Sequence, residues 1–368
     1  MKYILIAVQI VLISACVGSQ KKNEGPRKVE VRNTDGKYRL YVDGAEFYVN
    51  GAGCEFGDIQ NLASHGANSF RTWRTENGRK SGKEVLDEAQ ANGLMVLMGL
   101  DVHRERHGFD YNDSVKVQEQ FDSLKNEVLK YKDHPALLGW SIGNELNLSY
   151  SNPKVWDAVN DISKMIHEVD GNHPTTTALA GISKNVADEI EVRCPDLDFL
   201  SIQMYGDVIN IIKRVQDADW NGPYLVTEWG ATGHWEVGST EWGIPIEETS
   251  TEKANAIKAR WEKAIKANDT TCLGSYVFVW EQKQERTPTW YGLILESGEE
   301  TEATDFMQYT WTGKWPENLT PVIDSVLLTG KTKWDNVKLD PSQKCILKSM
   351  PVIPIMIPLS WIMKFCPI

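Results

Sequence analysis

The sequence predicts an α/β fold, a (β/α)8 TIM barrel with an N-terminal β-hairpin, on three observations. Eight short apolar runs recur between Phe47 and Trp280. Amphipathic stretches of helical length lie between them, such as Gly82–Asn92, Ser114–Tyr131, Pro153–Val169 and Glu252–Asn268. Two of the runs end in a carboxylate, at Glu145 and Glu228. Eight strand-then-helix units over about 270 residues match the count and size of such a barrel. A doubly wound sheet would need fewer strands and a Gly-rich phosphate turn, and no GxGxxG follows a strand.

The elements follow in order. Residues 1–15 read as an export signal, with Lys2 before an apolar segment broken only by Gln9. That segment is about ten residues long, too short to span a bilayer. Residues 16–27, polar after Cys16, read as a tether. The barrel domain is expected over residues 28–315. It opens with the alternating runs Val29–Arg32 and Tyr38–Val42, joined by Asn33-Thr34-Asp35-Gly36, a hairpin signal. The barrel runs are Phe47–Gly51, Ala67–Trp73, Leu94–Leu100, Leu137–Ile142, Thr175–Ala178, Phe199–Met204, Tyr224–Thr227 and Leu273–Trp280. Pro153 suits a first helical turn, and Asn92-Gly93 and Asp170-Gly171 suit helix ends. Residues 316–368 read as a linker and a truncated or irregular C-terminal segment, with Val322–Leu328 a candidate strand. Its prolines at 351, 354 and 358 make the last apolar stretch a poor membrane helix.

Composition narrows the function. A net charge of −12 argues against nucleic acid as a partner, because phosphate binding needs basic patches. Six cysteines without a CxxC pair make neither a disulfide framework nor a zinc site. Cys54 and Cys272 sit in apolar runs and are expected to be buried thiols. No motif calls for a metal or any other cofactor, and none is expected. Fourteen tryptophans suit a protein that stacks sugar rings on indole faces, although about half are expected to be core.

Glu145 closes Leu138-Gly139-Trp140-Ser141-Ile142-Gly143-Asn144-Glu145, and Glu228 closes Tyr224-Leu225-Val226-Thr227-Glu228. A charge at the end of a buried strand needs a reason, since burying an unpaired carboxylate is costly. In a barrel the catalytic face lies at the C-terminal strand ends, where both glutamates fall. Two carboxylates across one cleft are the usual machinery of glycosidic bond cleavage.

These motifs carry a resemblance. Gly139-Trp140-Ser141-Ile142-Gly143-Asn144-Glu145 resembles the strand-four signature of clan A retaining glycoside hydrolases, and Thr227-Glu228-Trp229-Gly230 their strand-seven motif. Phe47-Tyr48-Val49-Asn50-Gly51 and Asn68-Ser69-Phe70-Arg71-Thr72-Trp73 resemble family 2 barrels and their relatives. The resemblance, over about residues 45–310, implies Glu145 as acid/base and Glu228 as nucleophile. It further implies Arg71 and Tyr205 beside the nucleophile, Asn144 on the sugar 2-hydroxyl and Trp280 as the floor of the reacting subsite. His103 is expected against the sugar, His107 less so. Trp73, Glu55 and Trp229 are expected around the cleft, and Trp235 and Trp242 lie in the long segment after strand seven.

The expected partner is a β-linked oligo- or polysaccharide, with an overall likeness favouring endo-β-1,3-glucanase action over β-mannanase, β-galactanase or other β-glucanase action. A β-glucanosyltransferase would use the same carboxylates. A non-catalytic glycan-binding lipoprotein is the alternative of another class, and it would be expected to have lost one glutamate. Ser14-Ala15-Cys16 resembles a bacterial lipoprotein signal, which implies a lipid on Cys16 and a membrane-anchored periplasmic or cell-surface protein. The oligomeric state is left open.

Overall fold

The computed structural model describes residues 25–340, 344 and 346–352. The expected signal, Cys16, most of the tether and most of residues 341–368 lie outside the described residues.

Eight parallel strands close a barrel: β4 (Val49–Gly53), β5 (Ser69–Arg71), β6 (Met95–Leu100), β7 (Leu137–Asn144), β8 (Thr175–Ala180), β9 (Phe199–Gln203), β10 (Tyr224–Gly230) and β11 (Cys272–Phe278), with β11 pairing back onto β4. Each of the eight runs expected from the sequence overlaps one of these strands. Helices α1 (Ile59–Ser64), α2 (Gly82–Ala91), α3 (Ser114–Tyr131), α4 (Lys154–Val169), α5 (Lys184–Arg193), α6 (Ile211–Asp217), α7 (Ser250–Arg260) and α8 (Glu302–Thr312) alternate with them. The short α1 and α6 carry too few turns to show a periodicity. The helix expected over Glu252–Asn268 is α7, continued as a π-helical turn at Trp261–Ile265.

Local chemistry starts the helices where the sequence signals them. Ser81 and Glu84 form a reciprocal capping box on α2, as do Thr249 and Glu252 on α7. Asp113 caps α3 through the Lys116 amide. One face of α4 is apolar, and Val155, Trp156, Val159, Ile162 and Ile166 on it are buried against the barrel.

The hairpin is a three-stranded antiparallel sheet, β1 (Val29–Thr34), β2 (Lys37–Val42) and β3 (Ala45–Phe47). It closes the bottom of the barrel. The Val29 amide donates to Asn172 O at 2.8 Å, just before β8, and the Tyr38 amide to Thr270 O at 2.7 Å, just before β11. Val29, Leu40 and Val42 pack with Val49, Leu97, Leu138, Phe199, Leu225 and Leu273, which form an apolar lower layer. Above it hydroxyls pair across strands, Ser69 with Tyr276 at 2.7 Å and Thr176 with Ser201 at 3.0 Å. The functional side chains stand on this layer.

Strand β12 (Val322–Leu328) pairs antiparallel with β13 (Leu347–Val352), and the Ile323 amide donates to Thr251 Oγ1 at 2.8 Å on α7. The candidate strand after the linker therefore belongs to a two-stranded ribbon laid on the barrel. Among the described residues no helix is long and apolar enough to cross a membrane. Cys54 and Cys272 are buried thiols as expected, and so is Cys194.

A buried polar knot ties the lower end of β7 to the turn before β8. Asp170 accepts from Trp140 Nε1 at 2.7 Å and faces His173 Nδ1 at 2.8 Å, with its side chain fully buried. Asp170→Ala is expected to destabilise the fold by about 3–5 kcal/mol, since it strands both partners; denaturant unfolding measures it.

Candidate active site

Glu228 lies near the top of β10. The register with β9 and β11 shifts between Val226 and Trp229, so Thr227 and Glu228 do not follow simple alternation. Its side chain is nearly buried and receives four side-chain donors. Oε1 accepts from Trp73 Nε1 at 2.8 Å, Gln203 Nε2 at 3.0 Å and Arg71 Nη1 at 3.2 Å. Oε2 accepts from Tyr205 Oη at 2.8 Å. A guanidinium and three neutral donors around one carboxylate are the environment of an anion. Burial and the Glu228 charge push the Tyr205 hydroxyl well above its ordinary pKa, so it remains a donor.

Arg71 ends β5 and is 1% exposed, so its charge needs partners inside the barrel. Nη1 meets Glu228 and Thr227 O, and Nη2 donates to Asn144 Oδ1 at 3.0 Å. Gln203 Nε2 donates to the same Oδ1 at 2.7 Å. With Oδ1 so committed, the Asn144 Nδ2 group is the one left for a ligand. Gly99 in β6 lets the Thr72–Trp73 backbone approach, for a Cβ there would sit 2.3 Å from Trp73 C. That approach helps to place the indole against Glu228.

Glu145 follows β7 in a left-handed conformation, φ +53°, just after Gly143 at φ +74°. This backbone is uncommon for a residue with a side chain, and such outliers cluster at functional sites. It is held from the β6–α3 loop: Arg106 donates to Glu145 O, and Arg104 donates to Asn144 O at 3.0 Å. Among the described residues none donates a hydrogen bond to the Glu145 carboxyl, whose nearest cation is Arg106 at 3.9 Å. Burial, then the Glu228 charge, raise its pKa from 4.5 to about 7, while Arg106 and Arg71 oppose the rise. Both glutamates line one open cleft of about 940 Å³, near the upper end of the range for small-ligand sites.

The structure brings Glu145, Glu228, Arg71, Asn144, Tyr205, Trp73 and Glu55 together around this cleft. Trp73 stands closer to the chemistry than a lining residue, because its ring N–H donates to Glu228 and its face carries Arg71 at 4.9 Å. Glu55 is held by Arg74 at 2.5 Å. Trp235 also lines the cleft, 60% exposed and edge-on to Tyr205 at 5.4 Å.

Three expected residues are not brought there. Trp280 is fully buried behind the barrel wall, donating Nε1 to Asn61 Oδ1 at 2.8 Å and packing on His65 and Trp311. Strand β11 ends at Phe278, and Phe278 and Val279 line the cleft instead. Trp229 is fully buried in the core between barrel and helices, since neighbours along a strand face opposite sides. His103 lines a separate depression with His107 and α3, its ring 5.1 Å from Phe109. Arg104 and Arg106 of the same loop bond the carbonyls of Asn144 and Glu145 instead. Trp242 likewise lines a different cavity, under the β12–β13 ribbon.

Sequence reasoning gave no role to Gln203, Phe278, Arg106, Glu236 or Glu281. Gln203 did leave a signal, as an amide near the end of the run Phe199–Met204. Among the described residues no group of three or more His, Cys, Asp or Glu is arranged to hold a metal ion.

Residues 55–268 match the model of the glycosyl hydrolases family 2 TIM barrel domain. The chain belongs to that family. No curated protein matches the sequence. Among solved structures it is similar to a β-D-glucuronidase of Dictyoglomus thermophilum, at 18% identity and TM-score 0.60, over 78% of this chain and 54% of that one. A β-glucuronidase of Bifidobacterium dentium is similar at 16% identity and TM-score 0.60, over 78% and 49%. A family 2 β-galacturonidase of Eisenbergiella tayi is similar at 16% identity and TM-score 0.58, over 78% and 54%. The chain thus spans about half the length of these proteins, and likeness at such identity shows the shared fold.

The Glu145 environment makes a thermodynamic prediction. Its folded pKa of about 7 lies above its ordinary 4.5, so the folded state keeps a proton that the unfolded chain releases between those values. Stability therefore falls as pH rises through that window. Glu145→Gln is expected to leave stability unchanged at pH 4 and to raise it by about 1–3 kcal/mol at pH 8. Denaturant titrations at the two pH values check this.

Proposed function

We propose that the protein is a retaining β-glycosidase that cleaves a β-linked oligo- or polysaccharide by double displacement, with Glu228 as nucleophile and Glu145 as acid/base. The observation that carries this reading is the opposed surroundings of the two carboxyls. Glu228 is ringed by donors, whereas Glu145 is desolvated and titrates at about 7. One group is suited to attack as an anion, the other to arrive carrying a proton.

In the first step Glu228 Oε attacks the anomeric carbon while Glu145 delivers its proton to the departing glycosidic oxygen. The glycosyl ester that forms cancels the Glu228 charge. The repulsion that raised the Glu145 pKa then weakens, and Glu145 ionises to take a proton from the incoming water. Attack by that water releases the sugar with its configuration retained and returns Glu228 as a carboxylate. Asn144 would hold the 2-hydroxyl, a contact that strengthens in the transition state. Phe278 and Trp235 offer aromatic surface to the chain. Family membership and the barrel shared with β-glucuronidases support glycosidase chemistry. Within this reading β-1,3-glucan is the glycan favoured by the sequence resemblance, with β-mannan, β-galactan and β-1,4-glucan as the other outcomes of a substrate panel read by product chromatography.

Proton NMR of the first-formed product is expected to show the β-anomer; an α-product overturns the mechanism. Glu145→Gln should lower kcat by about 10²–10⁴-fold on a glycoside with a poor leaving group, and much less on an activated aryl glycoside. Glu228→Gln should abolish turnover of both. The wild-type rate is expected to fall on an alkaline limb near pH 7, where Glu145 loses its proton.

We further propose export with a lipid on Cys16. Cys16→Ser is expected to release the protein from the membrane fraction and to abolish incorporation of labelled fatty acid.

A further inference from the structure

Resting on the glycosidase reading above, we propose that this cleft takes uncharged sugars and turns away uronic acids, unlike the β-glucuronidases whose fold it shares. The argument is the charge of its walls. Besides Glu145 and Glu228, five carboxylates line the cleft: Glu55, Asp207, Glu236, Glu281 and Glu285. Only two cations line it, Arg214 and Lys283.

Both cations are already matched. Arg214 Nε donates to Asp207 Oδ2 at 2.8 Å. Lys283 Nζ lies 3.5 Å from Glu285 Oε2 and 4.8 Å over the Phe278 ring. Glu55 is matched by Arg74 from the rim, and Arg71, beneath the cleft, is matched by Glu228. Two carboxylates are held by backbone amides rather than by a cation. Glu236 accepts from the amides of Gly206, Asp207 and Gly233 at 2.6, 3.0 and 2.8 Å. Glu281 accepts from the amides of Glu55 and Phe56 at 3.1 and 2.5 Å.

A sugar carboxylate entering this cleft meets net negative walls and must either stay unpaired or break an existing ion pair. Like charges brought together across one cleft repel, and juxtaposing them suppresses the wrong partner. Hydroxyl groups carry no such penalty, and fixed carboxylates are good acceptors for them. Glu236 and Glu281 are therefore assigned as specificity-determining groups, and the Lys283–Glu285 pair as the lock that withholds the one flexible cation from a uronate.

The test uses the purified full chain in two arms. Hydrolysis is compared on neutral β-glycosides and the matching β-glucuronide and β-galacturonide. Calorimetry compares isofagomine with uronic isofagomine, which reads selectivity whether or not a glycoside turns over. The neutral member is expected to win by at least about a hundredfold in both arms. Glu285→Gln, which frees Lys283, is expected to move the uronic-to-neutral binding ratio up by about tenfold. Equal or tighter binding of the uronic ligand overturns the selectivity while leaving glycosidase action standing. A ratio unmoved by Glu285→Gln overturns the lock. Neutral-ligand binding without hydrolysis of any glycoside overturns the glycosidase reading and keeps the selectivity. Failure of both ligands to bind overturns the assignment of the cleft.

Discussion

The buried contact between Arg71 and Glu228 organises the upper barrel. Each charge alone would be costly in so dry a place, and together they still need their remaining hydrogen-bonding groups matched. That requirement recruits Trp73, Gln203 and Tyr205 to the carboxylate and Asn144 to the guanidinium. These partners come from the ends of β5, β7 and β9 and the turns beyond them, so closing the barrel and assembling the surroundings of Glu228 are one event. The apolar lower layer and the hydroxyl layer above it then act as a rigid floor on which this polar cluster is set.

Much of this was legible in the sequence, for a physical reason. Barrel strands are buried on both faces, so they stand out as apolar runs, and a carboxylate closing such a run is conspicuous. Glu145 and Glu228 were legible because each is a carboxylate closing a run that has no other use for one, whereas Arg71 and Asn144 were implied by the family resemblance. Tyr205 was legible through the family resemblance, which also supplied the division of roles.

The misplacements share another cause. Which side of the wall a residue faces depends on local register, and register near strand ends is set by shifts and turns that composition does not reveal. Trp229 and Trp280 are large aromatics beside the site in sequence yet behind the wall in space. His103 belongs to a loop whose path is fixed by Tyr111 and Gln120, the latter holding its amide at 2.8 Å. Gln203 was missed although its amide lies near the end of a mostly apolar run, because an uncharged residue there draws less notice than a glutamate.

The two glutamates differ in how they are supported. The surroundings of Glu228 are drawn from several strands and nearby turns, so no single exchange of sequence can alter them without unsettling the barrel. Glu145 is held by its amide to Ala178 of β8 and, from one loop, by Arg106 at its carbonyl and near its carboxyl. Loops tolerate insertion and replacement far better than strands do. Changes confined to the β6–α3 loop can therefore shift the Glu145 pKa while the cluster around Glu228 stays as the strands set it.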